Sequence, residues 1–134
     1  MKKSYLLSGI VALNFVAGIH AMKRPVVYKT IDGLFNSWNV DWPAIFALLD
    51  SMQGVIDVNE YRTESGRRPL LEQAVLEKNF LAVKTLLEKY KANPNVPSSF
   101  RGIAGMPSLS ILSFARQKGD NVIIKLLLHY GAKE

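Results

Sequence analysis

Apolar and polar residues follow the same order along two separate stretches of the chain. Residues 69–90 and 110–131 align without a gap at an offset of 41 positions. Self-similarity at a period of about 20–50 residues is typical of stacked structural repeats. The pattern therefore predicts two copies of one unit. The matching apolar residues are Leu71 with Leu112, Ala74 with Ala115, Val83 with Ile124, Leu86 with Leu127, and Leu87 with Leu128.

Each copy reads as two short helices with a break between them. In the first copy the break falls at Lys78 and Asn79. In the second, Gly119 can adopt the left-handed conformation that ends a helix, and Asp120 can cap the helix that follows. Gly131 gives a second helix-ending signal. Because neither helix can bury its apolar stripe alone, the pattern predicts helical hairpins stacked on one another.

A weaker unit precedes these two. Asp41 is a good helix cap and Pro43 suits a first helical turn. Its first helix is expected near residues 30–37. The apolar residues at helical spacing in this unit are Ile31, Leu34, Phe35, Ile45, Leu48 and Leu49.

The repeated segments resemble ankyrin repeats. The sequences PLLEQA at 69–74 and SILSFA at 110–115 are similar to the T-P-L-H-x-A start of that repeat. The segments 83–88 and 124–128 resemble its second helix, and KANPN at 91–95 resembles its closing G-A-D-x-N pattern. The motif's threonine and histidine are absent, and Lys91 replaces a helix-ending glycine.

The resemblance implies an all-α solenoid of about three helical hairpins, with units at about 31–59, 66–95 and 107–134. It also implies a protein-binding surface formed by the connecting loops and the inner helices. A generic helical-hairpin repeat is the alternative. Since the period exceeds the roughly 33 residues of that family, the connecting loops are expected to be extended.

The N-terminal segment carries the features of a targeting signal. Lys2 and Lys3 precede an uncharged apolar run at 5–19, and Ala21 offers a small residue at a cleavage position. We therefore predict a signal peptide over 1–21, a linker over 22–30, and an exported mature protein, periplasmic or secreted. An uncleaved membrane anchor and a buried helix of the fold are the alternatives.

The amino-acid composition limits which kinds of functional site the chain can form. The chain has no cysteine and two histidines, His20 and His129, so no thiolate site is possible. The net charge is +6, but the basic residues are scattered, which disfavours nucleic-acid binding. Glu72, Glu77 and Glu88 are interpreted as solvated helix surface. No residue pattern indicates catalysis, and no cofactor or metal is expected.

Partner binding is predicted at two long loops and a tryptophan pair. Arg, Tyr, Trp and Phe are enriched at protein interfaces. For the tryptophans and Phe100, a core position is the alternative. The predicted binding residues are Tyr61, Arg62, Arg67 and Arg68 in the loop at 60–68, Phe100 and Arg101 in the loop at 96–109, and Trp38 and Trp42.

The predicted partner is another protein. Self-association is a further hypothesis, because residues 122–130 are apolar on nearly every side and such a helix is normally buried. Membrane attachment is expected only if the N-terminal segment stays uncleaved.

Overall fold

The computed structural model describes residues 24–35, 40–63, 68–99 and 109–134, and within them it contains six helices and no β-strand. The predicted all-α class is confirmed. The chain divides into two compact units, Met1–Asp57 and Val58–Glu134. The helices are α1 (Arg24–Gly33), α2 (Trp42–Ser51), α3 (Leu70–Leu76), α4 (Phe80–Glu88), α5 (Ile111–Lys118) and α6 (Asn121–His129).

The first unit contains α1 and α2. Asp41 caps α2 by accepting a hydrogen bond from the amide of Ala44 at 3.1 Å, and Pro43 lies in the first turn, as predicted. The prediction for α1 was wrong in position. This helix ends at Gly33 and Leu34 follows in a turn, so only residues 30–33 of the helix expected near 30–37 are helical among the described residues, and the chain is helical from Arg24, where a linker was expected.

The backbone after Gly33 explains why α1 ends earlier in the chain than expected. The amides of Leu34 and Phe35 reach back only three residues, to the carbonyls of Ile31 and Asp32, which is a tightened turn. Phe35 then forms an isolated bridge with Val40. Apolar spacing predicted a helix through 34 and 35, but glycine at position 33 disfavours helix propagation.

The second unit consists of two helical hairpins. The helix α3 packs on α4, and α5 packs on α6. Between the hairpins, α3 packs on α5 and α4 packs on α6. The helices α3 and α5, which we call the inner helices, therefore form one layer, and α4 and α6, the outer helices, form another.

Both hairpin turns lie where the sequence predicts a break, and the second has the predicted cap chemistry. Asn79 accepts a hydrogen bond from the amide of Ala82 at 3.0 Å and so caps α4. Asp120 caps α6 by accepting from the amides of Val122 and Ile123, both at 3.1 Å. Gly119 has a φ of 72°, in the left-handed region, and Lys78 at the equivalent position has a φ of 53°.

The core of this unit repeats along the chain. Leu71 and Leu112 are buried, as are Leu86 and Leu127 at the centres of the outer helices. A fully buried leucine contributes about 1.5–3 kcal/mol relative to an exposed one. Eight leucine, isoleucine, valine and alanine side chains in four equivalent pairs thus build the same small core twice. The remaining pairs are Ala74 with Ala115 and Val83 with Ile124.

The turns that follow the outer helices also correspond. Lys91 has a φ of 55° after α4, and Gly131 has a φ of 87° after α6. A residue with a Cβ atom is strained in this conformation by roughly 1–2 kcal/mol, whereas glycine is not. Lys91 therefore occupies a position that favours glycine, as expected from the resemblance of residues 91–95 to the closing motif of the repeat.

Candidate interaction surface

The loop at 60–68 is anchored to its own backbone. Arg62 donates from Nη1 to the carbonyl oxygens of Asn59 at 2.6 Å and Tyr61 at 2.8 Å. Tyr61 is fully buried. Its predicted role as an exposed contact residue is therefore corrected: the aromatic ring belongs to the core, and Arg62 fixes the backbone that holds it there.

The second half of this loop is closed by a reciprocal pair of hydrogen bonds. The amide of Thr63 donates to the carbonyl of Arg68 at 2.9 Å, and the amide of Arg68 donates to Oγ1 of the buried Thr63 at 3.0 Å. Half-buried Arg68 also places Nη1 3.5 Å from Oε1 of Gln73 on α3. Arg68 therefore has a defined position at the mouth of the loop, whereas Arg67 lies outside the described residues.

The loop at 96–109 is tied to α3 by a buried carboxylate. Glu72 is fully buried, and its two oxygens accept from the amide of Ser99 at 2.8 Å and the hydroxyl of Ser99 at 2.7 Å. This corrects the expectation that Glu72 is a surface residue. A buried carboxylate needs such partners, because burying it without hydrogen bonds is strongly unfavourable. Phe100 and Arg101 follow directly but lie outside the described residues.

Two asparagines hold neighbouring loops side by side. Oδ1 of Asn59 accepts from the amide of Asn93 at 2.7 Å. One loop later, Oδ1 of Asn95 accepts from the amide of Lys133 at 2.8 Å, and its Nδ2 donates to the carbonyl of Gly131 at 3.0 Å. These two contacts, which we call the loop clamps, align the loop ends of the second unit. Sequence reasoning did not identify them, although Asn59 and Asn95 follow the same turn motif.

Trp42 does not form an exposed anchor. Trp42 is buried, with its ring 6.2 Å from that of Phe35 in an edge-on contact and 5.6 Å from that of Phe46. The core alternative for Trp42 is therefore correct. Trp38 lies outside the described residues.

Large apolar side chains are exposed on the outer helices instead. Phe80 and Leu81 on α4 are 41% and 69% exposed, and Val122 on α6 is 59% exposed. Leu128 is 46% exposed, whereas its repeat equivalent Leu87 is buried. One side of α6 therefore faces solvent, and the hypothesis that self-association covers this helix stays a prediction.

The described residues contain neither a candidate metal site nor a membrane-spanning helix. Among 24–35, 40–63, 68–99 and 109–134, no group of three or more His, Asp or Glu side chains could hold a metal ion. In the same ranges, no helix is long and apolar enough to cross a membrane. The predicted signal at 1–21 lies outside them.

Comparison with known proteins gave no relative for this chain. No protein-family model matches it, and neither a curated protein nor a solved structure does.

Proposed function

We propose that the segment from Val58 to the C-terminus is a pair of ankyrin-type repeats that binds another protein and catalyses no reaction. Support comes from the two hairpins, whose inner helices pack together and whose outer helices pack together. The loop clamps at Asn59 and Asn95 add a repeated contact between loops. Residues 31–59 are a sequence-based candidate for a further unit, and export rests on the sequence at 1–21.

One observation carries the proposed binding role: side-chain hydrogen bonds hold the described ends of both long loops. Glu72 fixes Ser99, and Thr63 closes the loop that ends at Arg68. Loops that are fixed on a rigid scaffold lose little conformational entropy on binding, which is why they are frequent binding elements. We therefore place the binding surface at the two loops, with Arg62, Arg67, Arg68, Phe100 and Arg101 as contact residues.

The test begins with the full chain as bait in an extract from its native host. Each captured protein is then purified and titrated against the chain by calorimetry. Replacing Arg67 and Arg68 by Ser, or Phe100 and Arg101 by Ser, should weaken the affinity by about tenfold or more, as loss of interface anchors does. The melting temperature should change little.

A matched control replaces two basic residues away from the loops. Lys84 and Lys125 are exposed on the outer helices, and their double replacement by Ser should leave the affinity for the partner unchanged. Full affinity in both loop variants would refute the loop surface. Equal losses in the loop and control variants would indicate general charge attraction instead.

Self-association is a second candidate, and the contrast between Leu87 and Leu128 favours it. The helix α4, which carries the buried Leu87, packs against α6. The corresponding side of α6 leaves Leu128 exposed, and a second copy would cover it. Light scattering after size exclusion should then show a dimer that Leu128→Glu dissociates. A monomer at all concentrations would eliminate this candidate.

A further inference from the structure

The starts of the two outer helices lie side by side. Asn95, after α4, is hydrogen-bonded to Gly131 and Lys133, after α6. The C-terminal ends of α4 and α6 are therefore neighbours, and the helices pack along each other with nine residues each. Since packed helices lie about 8–10 Å apart, their N-terminal ends are neighbours too.

Leu81 and Val122 are the second residues of these two helices. They occupy the same position after the caps Asn79 and Asp120, and both are largely exposed. Phe80 adds an exposed ring next to Leu81. We call these three residues the helix-start patch. The first turn of a helix favours acidic side chains, but the first turns of α4 and α6 contain none.

Four lysines lie close in sequence to the helix-start patch, and two of them, Lys84 and Lys125, are repeat equivalents. Lys84 and Lys125 lie one turn further along the outer helices, and Lys78 and Lys118 lie in or before the hairpin turns. All four are exposed, and none has an ion-pair partner among the described residues. The patch is therefore an apolar centre with positive charge on two sides.

The acidic groups nearby are engaged. The carboxylate of Asp120 accepts hydrogen bonds from two amides at the start of α6, where the helix dipole compensates its charge. Oε1 of Glu77 accepts from Gln73 at 2.7 Å. These hydrogen bonds leave both negative charges in place, but the four lysines outnumber the two carboxylates, so the charge around the patch favours a docked surface that carries negative charge.

We propose that the helix-start patch docks onto the anionic interface of a lipid bilayer. Apolar side chains that project beside lysines can insert below the headgroups while the ammonium groups stay at the phosphate level. A second copy is a poorer occupant, because a symmetric contact would bring the four lysines of one copy against those of the other. This docking is independent of the proposed protein binding, which uses the opposite end of the hairpins.

The absence of cysteine from the chain allows one local test. Leu81→Cys or Val122→Cys in the full chain is labelled with an environment-sensitive nitrobenzoxadiazole dye and mixed with vesicles of phosphatidylglycerol and phosphatidylcholine in equal amounts. Dye fluorescence should rise several-fold, shift to the blue and be quenched by spin-labelled lipid. Pure phosphatidylcholine vesicles should leave it unchanged. Because the readout is local, binding through residues 5–19 does not imitate it.

Lys133→Cys, at the other end of the hairpins, is the matched label. An equal response there would show adsorption without the proposed orientation and would overturn the proposal. No response at 81 and 122, or an equal response with neutral vesicles, would also overturn it. A blue shift that appears without lipid at higher protein concentration would identify a second copy as the occupant and would overturn the proposal. A blue shift that polyglutamate produces without lipid would identify an acidic polypeptide and would overturn it too.

The lysines are tested with the same label at position 122. Replacing Lys84 and Lys125 by Gln should raise the lipid concentration at half-maximal response by about tenfold or more. Replacing Lys89 and Lys133 by Gln removes the same charge away from the patch and should have a much smaller effect. Equal effects of the two double variants would refute the placement of the lysines at the docked surface.

Discussion

Glu72 and Ser99 form a buried polar contact across 27 positions of sequence, in which one carboxylate receives both donor groups of the serine. The contact joins the inner helix α3 to the start of the loop that leads to α5. Among the described residues, Glu72 is the only fully buried acidic residue, and it anchors a long loop.

Replacing Glu72 by Ala should lower the free energy of unfolding by about 2–3 kcal/mol, since it leaves the donors of Ser99 without their acceptor. Ser99→Ala keeps the amide contact and should cost about 1 kcal/mol. Urea denaturation measures both changes. Glu88→Ala, at an exposed position of α4, is the control and should stay within about 0.5 kcal/mol. Equal values for positions 72 and 88 would contradict the contact.

Lys91→Gly should stabilise the protein by about 1 kcal/mol, because the left-handed backbone at Lys91 strains any residue with a Cβ atom. Lys89 lies two residues earlier with a φ of −87°, where glycine brings no relief. Lys89→Gly should therefore destabilise the protein. Thermal unfolding followed by circular dichroism distinguishes the two. A loss of stability in Lys91→Gly would show that the lysine side chain outweighs the strain.

The repeated core predicts a contrast between leucines on one helix. Leu86→Ala should cost about 2–5 kcal/mol, and Leu127→Ala should cost a similar amount, because both side chains are fully buried. Leu81→Ala removes an exposed side chain from the same helix as Leu86 and should be close to neutral. Chemical denaturation gives the three values, and a neutral Leu86→Ala would contradict the hairpin packing.

Acidic residues at the exposed second positions of the outer helices should stabilise the protein. Leu81→Glu and Val122→Glu place a negative charge in the first turn, where the helix dipole stabilises it by about 0.3–1 kcal/mol. Leu128→Glu places the same charge in the last turn of α6 and should destabilise the helix. The gains should shrink as salt is added. Melting curves at two salt concentrations test this, and a loss at position 81 would mean that Leu81 packs in the core.

Glu134 predicts a local pH dependence. The hydroxyl of Ser113 at 2.8 Å, and then the guanidinium of Arg116 at 2.6 Å, hold the pKa of Glu134 below its ordinary value. A lowered folded-state pKa means that the contact is present at neutral pH and is lost as pH falls through that pKa. NMR titration of the Glu134 carboxyl carbon should show the low midpoint, and Ser113→Ala should raise it. An unchanged midpoint would exclude the serine as the cause.

The sequence predicted the parts of the fold that depend on local chemistry. Asn79, Gly119 and Asp120 mark the hairpin turns because a cap or a left-handed residue satisfies backbone groups next to it in the chain. The buried face of α4 followed from spacing alone. The position of α1 did not, because the same spacing was compatible with a helix on either side of Gly33.

The sequence did not predict which candidate binding residues are buried, because burial depends on distant parts of the chain. Tyr61 and Trp42 have the side chains of interface anchors, but the same side chains also fill cores, and here they do. Glu72 looked like surface since charged residues are rarely buried without a partner. Its partner, Ser99, is too distant in sequence for any local pattern to reveal it.

Three long-range contacts between a side chain and a backbone amide share one direction along the chain. In each case the side chain belongs to the earlier segment and the backbone amide to the later one: Asn59 with Asn93, Glu72 with Ser99, and Asn95 with Lys133. A ribosome releases the earlier segment first. Each of these three acceptors is therefore already synthesised when its donor emerges, so each later segment can dock onto an earlier one as soon as it is made.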